Sequence, residues 1–238
     1  MMKNFLITLS ILFILSGCSS LELEAVSSSE EETNRILALG LSHEENLIEA
    51  SKLDTPHLVS VVTLQLTNAR DEEIQDKIDL IASDEFASMV NISSDGLKFI
   101  GSNVSESKKT GILETDIDIQ NFHLEGIKNP NNGLINHKLV LSVAHNSRNE
   151  RQYSSANLCD EWNRCDSNKQ EINVVSSSAA NCSTSSCDFK EVMELSLSND
   201  FLRKASNTGF KMKFNANRKS NKINVSKSYL IGYLKVTQ

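Results

Sequence analysis

Residues 111–145 read GILETDIDIQNFHLEGIKNPNNGLINHKLVLSVAH, and the fold class turns on this stretch. In its first part Leu113, Ile117 and Ile119 alternate with Glu114, Asp116 and Asp118. That is the period of a strand with one dry face and one wet face. NPNNG at 129–133 then reads as a turn. Pro130 fixes φ, and Asn132-Gly133 tolerates positive φ. In the second part, HKLVLSVAH, Leu139, Leu141 and Val143 share one side. Two alternating runs around a strong turn predict an antiparallel hairpin.

Working outward, the same style continues towards the C-terminus. DFKEVMELSL at 188–197 places Phe189, Met193, Leu195 and Leu197 on one parity. SNDFLRKASNTG predicts a short helix, capped by Ser198 or Asn199 and stopped by Gly209, with Arg203 and Lys204 near its negative end. GFKMKFNA alternates Phe210, Met212 and Phe214 with lysines, a pattern that suits a sheet edge. SYLIGYLKVT is apolar on both parities and is expected to be buried. Towards the N-terminus, GLKFIGS at 96–102 is a short strand bounded by glycines. Ser42 and Glu45 fit a capping box that starts a short helix. HLVSVVTLQLT at 57–67 favours a strand, and 71–90 a helix over a strand. Many short strands with turn signals between them predict a mainly β body, an antiparallel sandwich with one to three short helices.

The first 20 residues, MMKNFLITLSILFILSGCSS, carry a different signal. Lys3 precedes a mostly apolar run from Phe5 to Leu15, too short for a spanning helix but the length of a signal-peptide core. Leu15-Ser16-Gly17-Cys18 resembles the lipobox of bacterial lipoproteins. The resemblance implies cleavage after residue 17, diacylglyceryl and further acyl (palmitate-type) modification of Cys18, and anchoring in a membrane through that lipid. Two or more acyl chains suffice for stable anchoring. Ser19 is not Asp, which in a Gram-negative host implies sorting to the outer membrane, on its periplasmic face or the cell surface. Residues 18–41 are acidic with few apolar anchors and are expected to form a flexible tether, its first 15 or so residues reaching about 20 Å. The body is then expected as a single domain over 42–238, with a candidate sub-boundary at 91–96.

Composition narrows the function. The formal net charge of −7 opposes nucleic-acid binding, which rests on Lys and Arg at phosphates. It also opposes docking to anionic lipid heads. The sequence holds no GxSxG elbow, Walker loop or GxGxxG. His43-Glu44 begins an HExxH pattern, but Leu47 stands at the second histidine position. His137 and His145 share a strand parity, yet about 26 Å of strand separates them, too far for one ion. They are expected at strand ends near water, with His123 facing His137 across the hairpin. Glu114, Asp116 and Asp118 form an acidic stripe, the weak candidates for a Ca²⁺ site or an acid/base pair, with a wet sheet face as the plain reading. No cofactor is expected.

Four of the five cysteines fall between Cys159 and Cys187. Their C-x₅-C and C-x₄-C spacings depart from most zinc sites and from redox C-x-x-C. A chain exported by a lipobox meets conditions in which disulfides persist. Local pairs, Cys159–Cys165 and Cys182–Cys187, are favoured by closure cost, against a nested Cys165–Cys182 inside Cys159–Cys187. Residues 146–187 are read as long, polar, stapled loops, with Trp162, the only tryptophan, and Tyr153 as candidate partner contacts. Together these readings predict a lipid-anchored envelope protein that binds or scaffolds, with an envelope protein or a cell-wall component as partner. The rivals are an envelope hydrolase or metal-dependent enzyme on the acidic stripe, and an accessory lipoprotein for assembly of a secretion or surface apparatus.

Overall fold

A computed structural model of the chain describes residues 28–110, 116–217 and 219–238, with side chains over 28–107, 118–217 and 219–238. The signal peptide, the lipobox with Cys18 and Ser19, and Glu114 lie outside the described residues. The chain divides into two compact units at residue 77.

In the first unit, helix α1 covers 28–37, where the tether was expected to continue to residue 41. Helix α2 (His43–Ala50) opens on the expected capping box: Ser42 Oγ accepts from Glu45 N and Glu45 Oε2 accepts from Ser42 N. Helix α3 (Pro56–Ser88) is 33 residues long and replaces the strand expected over 57–67. Leu58, Val62 and Leu66 are four apart, a spacing that keeps both strand parity and helix face. The ambiguity breaks at Leu64, which shares their parity but is 60% exposed while Val62 and Leu66 are buried. Thr55 Oγ1 accepts from Leu58 N, and Pro56 suits the first turn. Ile36, Ala50, Val62 and Leu66 make the small core of this unit.

The second unit is mainly β and sandwich-like. The strands are β1 (Asn91–Ile92), β2 (Lys98–Ile100), β3 (Val104–Thr110), β4 (Asp116–Lys128), β5 (Ile135–Ser147), β6 (Tyr153–Leu158), β7 (Lys169–Glu171), β8 (Asn173–Ala180), β9 (Cys187–Leu197), β10 (Phe210–Ala216) and β11 (Asn221–Val225). Helices α4 (Asn199–Ala205) and α5 (Lys227–Thr237) complete it. Five helices among the described residues exceed the one to three short ones expected. One sheet runs β1-β2-β4-β5-β9-β8, with β3 also on β4, and the other runs β11-β10-β6-β7. All pairings are antiparallel.

The hairpin predicted over 111–145 is β4–β5, with Phe122 opposite Leu141 and Lys128 opposite Ile135. Gly133 closes its turn at φ 72°. The inward face of β4 differs from the expectation. Asp118, Gln120, Phe122 and Leu124 are buried, whereas Ile119 is 46% exposed. The strand turns its acidic parity inward because Phe122 and Leu124 share it, and one strand has one inward face. His123 lies opposite Val140, not His137.

One core joins both sheets and both helices, from Phe122, Leu141 and Met193 to Met212, Phe214 and Leu202. SYLIGYLKVT is buried as expected, but as helix α5. Tyr229 and Tyr233 enter the core with their hydroxyls bonded. Tyr229 OH accepts from Leu124 N and donates to Ser102 O, and Tyr233 OH meets His137 Nδ1 at 3.0 Å. A Cβ at Gly101 would lie 2.5 Å from the Tyr229 hydroxyl, and one at Gly126 2.6 Å from that of Tyr233. Strand β10 is central between β11 and β6, not an edge. Within 146–187, strands β6, β7 and β8 stand where loop was expected.

Candidate functional site

The disulfides Cys159–Cys165 and Cys182–Cys187 are present, which are the local pairs. The first closes a turn whose tip is Trp162. Asn163 N donates to Asp160 O and Asp160 N to Arg164 O, each at 2.9 Å. Asp160 Oδ1 accepts from Arg164 N, and Oδ2 pairs with Arg164 Nε at 2.7 Å. The bond from the Arg164 backbone, aided by its side chain, holds the Asp160 carboxyl below the usual carboxylate range. Asn163 adopts φ 62°, a conformation asparagine tolerates. Lys222 Nζ donates to Asn163 O, and Cys159 N to Lys211 O, tying the turn to β11 and β10. Trp162 stands on this braced turn with 73% of its surface exposed.

Beside the turn opens a cleft of about 600 Å³ lined by Leu158, Glu161, Phe201, Lys204, Phe210 and Lys211, among others. Phe201 and Phe210 meet edge to face at 5.1 Å and make its apolar wall. Phe201 is there because Ser198 caps α4 and sets the helix phase. Glu161, Lys204 and Lys211 are exposed at the rim. Such an arrangement presents one large indole, an apolar recess and charges of both signs, the composition of a recognition surface.

Tyr153, the other candidate contact, is only 5% exposed and is corrected to an interior residue. Its hydroxyl bonds to Asn221 Oδ1, and burial pushes it up to about 12. Around it lies a buried polar cluster. Arg151 donates through Nη2 to Asp118 Oδ1 at 2.7 Å and through Nη1 to Asn221 Oδ1 at 2.8 Å. Gln120 Oε1 accepts from Asn221 Nδ2. Burial pushes the Asp118 carboxyl up, but the bond and charge of Arg151, with Lys219 at 3.4 Å, together hold it below the usual range. Asp118 is therefore a satisfied anion and not part of a wet stripe. Asp116 pairs in the backbone with Thr110. Among the described residues no group of three or more His, Cys, Asp or Glu is placed to hold a metal.

Glu191 extends the cluster. Its carboxylate accepts from Arg151 N, Gln152 N and His145 Nε2 at 2.9 Å. His145 stacks on Phe189, and Ser147 Oγ lies 3.1 Å from its Nδ1. The order Ser147, His145, Glu191 has the outline of a hydrolytic triad. However, Ser147 Oγ also donates to Asn149 O at 2.6 Å, and the His145 side chain has no exposed surface. The three residues brace the 148–152 segment. His137 and His145 are both buried, so the expected solvated strand ends are corrected too. Sequence reading passed over Glu191 and Arg151. Glu191 had a signal: it shares parity with Phe189, Met193 and Leu195.

No helix among the described residues is long and apolar enough to cross a membrane. No protein-family model, no curated protein and no solved structure matches the chain.

Proposed function

We propose that the chain is a lipid-anchored lipoprotein of the bacterial cell envelope, at the outer membrane in a Gram-negative host, and that it binds a partner without turnover. The carrying observation is Trp162, 73% exposed on a turn locked by a disulfide and the Asp160–Arg164 pair. A monomer gains nothing from holding its sole indole rigid in water, whereas a binding partner gains a contact whose ordering cost is already met. The neighbouring cleft supplies the recess. The lipobox ending in Cys18 supports the anchor, and the two disulfides suit an oxidising compartment. The partner is an envelope protein or a cell-wall component.

Two experiments test this. Photo-crosslinking from the 160–163 turn in intact cells, with a parallel pull-down on isolated cell wall, is expected to capture one partner, and Trp162→Ala to lose it without lowering thermal stability. Capture unaffected by Trp162→Ala would move the surface elsewhere. Cys18→Ala is expected to block lipid labelling and release the protein from the membrane fraction or leave it unprocessed. Normal lipid incorporation in that variant would refute the anchor.

A further inference from the structure

Residues 198–238 hold nine of the chain's 24 Lys and Arg but only one of its 31 Asp and Glu. In a chain of net charge −7, cations thus gather around α4, β10, β11 and α5. Two of them, Lys204 in the last turn of α4 and Lys211 on β10, line the cleft beside the Trp162 turn. Both are exposed, and among the described residues neither ammonium is paired with a carboxylate. The same face of the small sheet continues the charge. Strand alternation sets Lys213 on the side of Lys211, and Lys213 stands directly opposite Lys222. Like charges opposite each other destabilise a sheet, so the fold alone gives no reason to gather them. The wall of the cleft is apolar, made by Phe201 and Phe210 with Leu158 and Ala205. Of the lining acids, Asp160 is held by Arg164, and Glu161 stands on the disulfide turn.

Resting on the binding role proposed for the Trp162 turn, we infer that the cleft receives an extended acidic segment of a partner protein. Its apolar side chains lie on Phe201 and Phe210, and its carboxylates on Lys204 and Lys211. Charge and the apolar wall select this occupant together. Unpaired lysines call for an anion, and two phenylalanines call for an apolar group on the same ligand. Alternate side chains of an extended peptide share a side, so alternating acids and apolar residues offer both. The cleft, about 600 Å³, lies within the roughly 300–1,000 Å³ of ligand sites. An oligonucleotide would match the lysines, but its unbroken negative charge would also meet Glu161. Carboxylates spaced by apolar residues avoid that contact.

The probe is a fluorescein-labelled peptide of alternating glutamate and leucine, titrated into the purified protein at low salt. It is expected to bind, and its glutamine–leucine and glutamate–serine versions to bind about fivefold more weakly or worse. Lys204→Glu with Lys211→Glu is expected to lose as much and to gain affinity for a lysine–leucine peptide, with an unchanged circular dichroism spectrum. In cells, the two lysine changes are expected to abolish photo-crosslinking from the 160–163 turn. Crosslinking that Trp162→Ala loses but the lysine changes leave intact overturns this inference and keeps the Trp162 surface. Crosslinking that the lysine changes lose but Trp162→Ala leaves intact supports the cleft and removes Trp162 from it. No binding at millimolar peptide, or binding indifferent to the glutamates or to the lysines, overturns the inference. So does an oligodeoxynucleotide or an anionic phospholipid vesicle bound more tightly than the peptide through the same lysines.

Discussion

Asp118 and Arg151 are each about 5% exposed at the side chain, and each satisfies the other. Removing Asp118 leaves the buried Arg151 guanidinium without its carboxylate, which costs about 3–5 kcal/mol. Asp118→Ala is therefore expected to lower the urea midpoint strongly, and Asp118→Leu with Arg151→Met to cost less than the two single changes summed. Strict additivity across that cycle would show that the pair is not coupled. The two buried histidines act through pH. Burial lowers the pKa of His137 and, against the pull of Glu191, that of His145. An unfolded histidine takes up a proton near pH 6.5, before the folded one does. Their contribution is thus complete above pH 6.5 and is lost as pH falls below it, towards the folded pKa. Against its burial, Arg151 and Lys219 lower the Asp118 pKa as well, so its stabilisation also falls with pH, but only at lower pH, as the folded carboxyl protonates. Melting temperature is expected to fall in two stages on acidification, and His137→Gln to flatten the first. An unchanged first stage in that variant would remove His137 from the account.

At the level of elements, the C-terminal helix shows how closely backbone approaches backbone. A Cβ on Gly232 of α5 would sit 2.5 Å from Ser83 O and 2.7 Å from Phe86 Cβ on α3. Neither helix backbone can yield without losing its neighbours, including the Phe86–Tyr229 edge contact at 5.3 Å. Gly232→Ala is expected to destabilise by about 1–3 kcal/mol, visible in chemical unfolding. A neutral effect would mean that α5 slides freely along α3. The disulfide turns sit at the opposite extreme, on the surface. Cys182 and Cys187 close a loop of five residues' separation, for which the chain-entropy account gives about 2 kcal/mol. Serine at both positions is expected to cost about that much, and peptide mapping of the unreduced protein to return both local pairs.

For the molecule as a whole, the core of the second unit draws every buried member from Phe122 onward. A fragment starting at residue 78 keeps the end of α3, both sheets and both disulfides. It is expected to fold alone, with cooperative thermal unfolding and dispersed amide resonances. A fragment lacking cooperative unfolding would show that the first unit is needed for the core to form.

Sequence alone determined the features that rest on neighbours along the chain. The β4–β5 hairpin was legible because its turn residues and two alternating runs lie within 35 positions. The Ser42 capping box, the Ser198 cap and the local disulfides were legible for the same reason. Tertiary structure decided the rest. Residues 57–67 favour a strand by their parity, and only the burial of Val62 and Leu66 away from Leu64 shows that they are helix. Which parity of β4 faces inward depended on Arg151, a cation 33 residues further along, which neutralises Asp118 inside the fold. An acidic alternation reads as a wet face until a buried partner appears, because charge is costly in the core only while it stays unpaired. The cleft beside Trp162 likewise joins residues from 158 to 211, which no local pattern connects.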